Sequence, residues 1–132
     1  MKLSAVLITK NAGPEFAKCL ESLAFADEIV VLDSGSTDDA LAVAEQFGAR
    51  IFQSDDWPGF GPQRQRAQSH AQGEWLFWID TDEVVTPELA SSIQRAIEQV
   101  TEMLEAIGRL ERTSESVEHI MVGMQCGGSD GY

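Results

Sequence analysis

A chain of 132 residues is one domain or part of one, and is long enough to bury a core. Its hydrophobic fraction of 43% is ordinary for a globular protein, but nine Lys and Arg against 22 Asp and Glu give a net charge of −13. Such a surface repels phosphate backbones and anionic headgroups, which argues against nucleic acid as a partner; a small phosphorylated ligand stays compatible if a divalent cation reverses the local field. Two cysteines, Cys19 and Cys126, make no disulfide framework and fit a reducing cytoplasm, with Cys19 expected on a helix face toward the core.

Residues 3–8 (LSAVLI) form a short apolar run closed by Thr9-Lys10-Asn11. The run is too short for a secretory signal core or a membrane span and reads as a first buried strand. Asn11 to Pro14 breaks it, and a helix is expected from Pro14 to about Leu23, with Phe16, Ala17, Leu20 and Leu23 at helical spacing. Residues 28–32 (EIVVL) are a second buried strand, and Asp33-Ser34-Gly35-Ser36 a loop. Ser36 or Thr37 is expected to cap a helix through Phe47, with Leu41, Val43, Ala44 and Phe47 inward and Gly48 as its stop. Residues 49–52 follow as a third strand. Residues 54–62 hold two prolines and two glycines and read as an irregular loop, with a helix over 63–72 ended by Gly73. Residues 74–79 (EWLFWI) read as a fourth strand buried on both faces, and Pro87 begins another helix. The alternation predicts an α/β fold of Rossmann-like class, mainly a parallel sheet with helices on both faces.

Three polar clusters follow the carboxyl ends of predicted strands, the edge where open parallel sheets bind ligands. In Asp80-Thr81-Asp82 an extended backbone would turn both carboxylates to one side, about 6.5–7 Å apart, able to share a hard divalent cation such as Mg²⁺ or Mn²⁺. The alternative is a solvated acidic turn before the helix at Pro87. Asp33, with the small residues after it, can accept a hydrogen bond from a nucleobase N–H or a ribose hydroxyl; loop and cap chemistry is the alternative. Asp38 and Asp39 read as first-turn helix acids. Arg64 and Arg66 either clamp phosphate oxygens or form a solvated helix face. His70 and His119 have no partner suggesting a catalytic triad or metal site. Trp75, Phe77 and Trp78 read as core, whereas Trp57, in the loop, is the aromatic best placed to touch a ligand.

The segments SAVLITKN, EIVVLDSGSTD, GPQRQRAQ and EWLFWIDTDE, in this order over residues 1–99, resemble the family 2 glycosyltransferases of the GT-A fold, and bacterial lipopolysaccharide-core glucosyltransferases in particular. The resemblance implies the nucleotide-binding half of such an enzyme. It implies a UDP-sugar or other nucleotide-sugar donor and a glycan or lipid-linked acceptor. It also implies Mg²⁺ or Mn²⁺ held mainly by Asp82 with Asp80, base recognition by Asp33 and Ser34 near Thr9 and Asn11, and donor contact from Arg64. A cytoplasmic place, peripheral at the inner face of the cytoplasmic membrane, goes with this. No residue is assigned as the general base for the acceptor hydroxyl.

The tail reads differently. Residues 120–132 (IMVGMQCGGSDGY) resemble part of the altronate/galactarate dehydratase family, with Cys126 and Gly127 to Asp130 in its motif. A chimera joined near residues 99–102 is one expectation, with a helix and then a short strand over 100–132; a helical tail of the same protein is the other. Three functions follow as alternatives: a metal-dependent glycosyltransferase, a nucleotide-sugar-binding fragment without turnover, or a receiver-like or flavodoxin-like domain. A sheet ending after its fourth or fifth strand is expected to associate with a second copy through its edge.

Overall fold

The computed structural model describes residues 2–109. Strands β1 (Leu3–Thr9), β2 (Glu28–Asp33), β3 (Arg50–Gln53) and β4 (Trp75–Trp78) alternate with helices α1 (Phe16–Ser22), α2 (Ala40–Gln46), α3 (Phe60–Ser69) and α4 (Pro87–Gly108). All strand pairs are parallel, in the order β3-β2-β1-β4. A flavodoxin-like sheet would set β3 beside β1; here β2 lies between them, which rules that reading out. The chain builds β1, β2 and β3 outward, then returns across the sheet to lay β4 against the other side of β1. The order reverses between β1 and β4, and at such a reversal the crevice at the carboxyl ends is open to a ligand.

Period-two alternation sorts the strands onto two faces. Ala5, Leu7, Ile29 and Val31 face a core shared with Phe16, Cys19, Leu20, Leu23, Ala40 and Ala44, and with Ile79 and Val85 near the start of α4. Val6, Val30 and Leu32 face the opposite way and pack against Ala67 of α3, with Phe52, Leu76 and Trp78 around them. Helices therefore cover both faces, as the alternation of elements predicts.

Several boundaries shift, each for a local reason. Pro14 lies in a turn, and α1 starts at Phe16 after the Phe16 N–H has bonded the Gly13 carbonyl at 3.3 Å. Neither Ser36 nor Thr37 caps α2: both are engaged by the loops described below, and Asp39 holds the N-cap position. Asp38 precedes the helix, its carboxylate accepting from Ala40 N–H (3.0 Å) and Gly13 N–H (3.2 Å). Phe47 is 37% exposed rather than inward. Gly48 does end α2, at φ 70°, with the Ala49 N–H reaching back to the Ala44 carbonyl. Helix α3 begins three residues before the predicted Gln63, since Pro62 is tolerated in a first turn whose N–H has no helical partner. Strand β4 is half-buried rather than buried on both faces, because among the described residues it is the edge of the sheet. Thr86 caps α4 through its side chain, with Pro87 at N1. This helix continues unbroken to Gly108, and its distal half exposes Val100, Met103, Leu104 and Ile107.

At the amino ends of the strands, Glu28 anchors a polar knot. Its Oε1 accepts from the Ser4 hydroxyl and from the N–H groups of Gln72 and Gly73, and its Oε2 accepts from Arg50 at 2.8 Å. Burial pushes the Glu28 carboxyl up, but these hydrogen bonds and the Arg50 charge outweigh it and bring it down from 4.5 to about 2. A depressed carboxyl stabilises the fold above its unfolded value and loses that contribution as pH falls through the folded one. The Glu28 share is thus full above about pH 4.5 and lost toward pH 2. Thermal melts of the chain and of Glu28→Gln are expected to differ by on the order of 2 kcal/mol at pH 7 and to converge near pH 2. An unchanged gap across that range would mean that the ionised carboxylate contributes nothing.

Candidate functional site

The loops after β1, β2 and β4 meet at the carboxyl edge. Asn11, in the left-handed region at φ 51°, ties the first two together: its Oδ1 accepts from the Thr37 N–H at 2.7 Å and from the Asp38 N–H at 3.3 Å. Its own N–H donates to the Ser36 hydroxyl at 2.8 Å. Asp33 is fully buried. Its Oδ2 accepts from the N–H groups of Gly35 and Ser36, and its Oδ1 from the Ser36 hydroxyl. Three of roughly four lone-pair positions are thereby taken by its own loop. Ser34 donates twice to the Thr9 carbonyl, through its N–H (2.9 Å) and its hydroxyl (3.3 Å). The Thr9 hydroxyl is buried and has no hydrogen-bond partner in the chain.

Two clefts adjoin at Ile8. One, of about 360 Å³, is lined by Ile8, Thr9, Lys10, Ser34, Trp57 and Phe60. The other, of about 200 Å³, is lined by Ile8, Arg64, Trp78, Ile79, Asp80 and Glu83, at the β1–β4 reversal. A larger cavity of about 450 Å³ lies away from this edge, between Leu3, Asp27 and α4, and contains none of the candidate residues.

The acidic segment is a turn and not an extension of β4. The strand ends at Trp78, and the Glu83 N–H bonds the Asp80 carbonyl at 3.1 Å, so Thr81 and Asp82 occupy the bend. The alternating geometry expected for two carboxylates on a strand does not apply. Instead the Asp80 N–H donates to Glu83 Oε2 at 2.8 Å, and Asp80 Oδ1 is paired with Arg64 at 3.2 Å, both side chains half-exposed. Asp82 is exposed. Among the described residues no three His, Cys, Asp or Glu side chains converge to hold a metal unaided. Two carboxylates with oxygen ligands from a diphosphate would still suit Mg²⁺, which is commonly bound by one or two carboxylates plus substrate phosphates.

Cys19 lies beneath this turn, its thiol donating to the Asp80 carbonyl at 3.4 Å. Burial, and then the charges of Glu83, Asp82 and Asp80, push the thiol up to about 11, so it stays protonated and serves as packing rather than as a nucleophile. Arg66 is not available for phosphate: it grips Asp56 with two hydrogen bonds, at 2.7 and 3.1 Å. That grip holds the Asp56 carboxyl below its usual range. His70 stacks on Phe52 at 3.7 Å, away from the clefts. Phe60 and Glu83 also line the clefts and were missed by sequence reasoning; for Phe60 the available signal was its spacing of three from Trp57 across a helix start.

The family described as "Glycosyl transferase family 2" matches residues 4–118. An uncharacterized glycosyltransferase of Rickettsia felis is 39% identical over 94 residues, covering 70% of this chain and 33% of the relative. The lipopolysaccharide core biosynthesis glycosyltransferase LpsC of Rhizobium meliloti is 39% identical over 87 residues, covering 63% of this chain and 32% of LpsC. The chain thus spans about a third of the length of these relatives. Among solved structures, S. aureus TarS 1-349 in complex with UDP aligns with a TM-score of 0.64 and 28% identity, over 75% of this chain and 32% of that one. Glucosyl-3-phosphoglycerate synthase of Mycobacterium tuberculosis, in complex with Mg²⁺ and UDP, aligns with a TM-score of 0.55 and 30% identity, over 63% of this chain and 34% of that one.

The fold is that of the GT-A glycosyltransferases. The family match passes through the seam expected at 99–102, and α4 crosses it without a break, so the dehydratase resemblance of the tail gains no support. Cys126, residues 127–130, His119 and the short strand expected in the tail lie outside the described residues. With the family matched over most of its length, and relatives and folds agreeing with it, this chain belongs to glycosyl transferase family 2.

Proposed function

We propose that this chain is the donor-binding part of a glycosyltransferase that takes a hexose from a UDP-sugar and passes it to a cell-envelope glycan of the lipopolysaccharide-core type. The observation that carries the reading is the meeting of three strand-end loops around two adjoining clefts, one lined by Thr9 and Ser34 and one by Arg64 and Asp80. The first cleft takes the nucleoside, with Asp33 and Asn11 fixing the backbone around it. The second takes the diphosphate. There Arg64 exchanges Asp80 for phosphate oxygens, with which its guanidinium fork is matched in shape and charge. Asp82, with Asp80, would hold Mg²⁺ or Mn²⁺, and the ion when bound neutralises charge on the leaving diphosphate. The chain's own contribution is to bind and orient the donor. No catalytic base is assigned. The place proposed is the cytoplasm, peripheral to the inner face of the cytoplasmic membrane; no helix among the described residues is long and apolar enough to cross a membrane.

Thr9 tests the nucleoside cleft. Its hydroxyl is buried without a partner, an arrangement that costs about 1–3 kcal/mol of stability unless something else satisfies it. Thr9→Val is therefore expected to melt at or above the wild-type temperature and yet to bind UDP about tenfold more weakly. Equal UDP affinity in the two proteins would remove Thr9 from the site.

The proposal also includes association with a second copy. Strand β4 ends the sheet among the described residues, and α4 exposes Val100, Leu104 and Ile107 at spacings of four and three. Sedimentation velocity is expected to show a heavier species that grows with concentration and is suppressed by Leu104→Lys with Ile107→Lys. A single monomeric species at all concentrations would remove this part of the proposal.

A further inference from the structure

Trp57 and Phe60 are 50% and 67% exposed, large aromatic surfaces left in water on a strongly charged protein. They are not scattered. The rings meet edge to face with centroids 5.0 Å apart, and both line the cleft that also holds Thr9, Lys10 and Ser34. In an edge-to-face pair, the ring that offers its edge keeps its own faces open to a third ring. The segment carrying Trp57 is also held. The bidentate Arg66–Asp56 pair fastens its preceding residue to α3, and the Ser54 N–H bonds the Asp33 carbonyl at 2.8 Å, fixing where the segment leaves β3. The Gln63 side chain, fully buried, donates to the Ser54 hydroxyl at 2.7 Å from the other side. An exposed aromatic pair that is pinned at both ends, over a cleft floored by small polar residues, is suited to a flat ring that stacks and offers hydrogen bonds at its edge.

We propose that Trp57, braced by Phe60, is the stacking wall for the nucleobase of the donor, and that Asp56 and Arg66 are positioning residues that hold it there. This rests on the donor-site reading above and adds the residues that select a nucleoside over a bare diphosphate. Lys10 is the one cationic side chain among the residues lining this cleft.

The test uses the 132-residue chain and three probes: uridine, UDP with Mn²⁺, and inorganic pyrophosphate with Mn²⁺, each titrated by calorimetry. Loss of a base–aromatic stack is expected to weaken uridine and UDP by about tenfold or more in Trp57→Ala, while pyrophosphate binding is unchanged. Trp57→Phe is expected to recover most of the affinity and guards against a folding defect, since it keeps an aromatic ring. Asp56→Asn is expected to weaken UDP less than Trp57→Ala, and to weaken uridine by the same factor as UDP while leaving pyrophosphate unchanged, since the Arg66–Asp56 pair acts only through the placing of Trp57. Wild-type binding of UDP with Trp57→Ala equal to it would overturn this inference alone. A parallel loss of pyrophosphate binding in Trp57→Ala would overturn it too, by showing a general defect. A wild-type chain that binds neither uridine nor UDP would overturn the donor-site reading and this inference together.

Discussion

Gly73→Ala is expected to destabilise the chain by about 3 kcal/mol or more, lowering its melting temperature by roughly 10–20 °C. A methyl group at this position would meet the Ser4 hydroxyl, the Lys2 carbonyl at 2.8 Å and the Ser4 backbone nitrogen at 2.9 Å. Two of these three atoms belong to the backbone of β1 and its approach, which cannot swing aside as a long side chain could. Gly73 also donates its N–H to the Ser4 hydroxyl at 2.8 Å and to Glu28 at 3.2 Å. Displacing it would break both bonds and leave the partly buried Glu28 carboxylate short of a donor. The same residue sets where β4 begins alongside β1, so the damage extends to the strand that carries the acidic turn. Circular-dichroism melts of the two proteins check this, and a shift of under 3 °C would contradict the close approach.

Asp82→Ala is expected to reduce metal-dependent UDP binding by at least a hundredfold while leaving the melting temperature within about 2 °C. The side chain is exposed on the bend, so its removal uncovers no core. The effect instead comes from losing the carboxylate proposed as the main protein ligand of a divalent cation. Asp80→Ala is expected to behave differently. Its carboxylate is paired with Arg64, so the variant frees a cation beside the cleft proposed for the diphosphate while removing the second proposed metal ligand. Part of the lost affinity is then replaced by Arg64, and the remaining binding depends less on metal. Equal losses in the two variants would show that Arg64 does not take over, and an unaffected Asp82→Ala would remove that residue from the metal site. Calorimetric titration of UDP at several Mn²⁺ concentrations separates these outcomes.

Much of the fold was legible because the signals are local. The apolar runs at 3–8, 28–32 and 74–79 had no other use than as strands, and breakers such as Gly48 and Pro87 stand at real boundaries. What the sequence could not convey depends on which neighbour a segment acquires. EWLFWI reads as doubly buried, and only the sheet order shows that β4 has a strand on one side among the described residues. Ser36 and Thr37 have good capping chemistry, but Asp33 and Asn11, far from them in sequence or turned back upon them, take that chemistry first. Ser4, Glu28 and Gly73 looked unremarkable apart, because their knot joins three segments that sequence order keeps separate.

The candidate site followed the same division. Its location at the strand ends could be read from the chain, since the three polar clusters each follow an apolar run. Its internal wiring could not. Arg64 and Arg66 are two residues apart and chemically alike, yet one lines the cleft beside Asp80 and the other is spent on Asp56. The Asp80-Thr81-Asp82 segment has the composition of a metal site on a strand, but the Glu83 N–H closes it into a turn, which changes where its carboxylates are directed.

The most direct test of the donor-site account is a titration of UDP into the wild-type chain, once with Mn²⁺ and once with EDTA. The account predicts one saturable site in Mn²⁺ and at least a hundredfold weaker binding in EDTA, because the diphosphate would otherwise meet the carboxylates of Asp80, Asp82 and Glu83 with no divalent cation between. No measurable binding of UDP under either condition would contradict it.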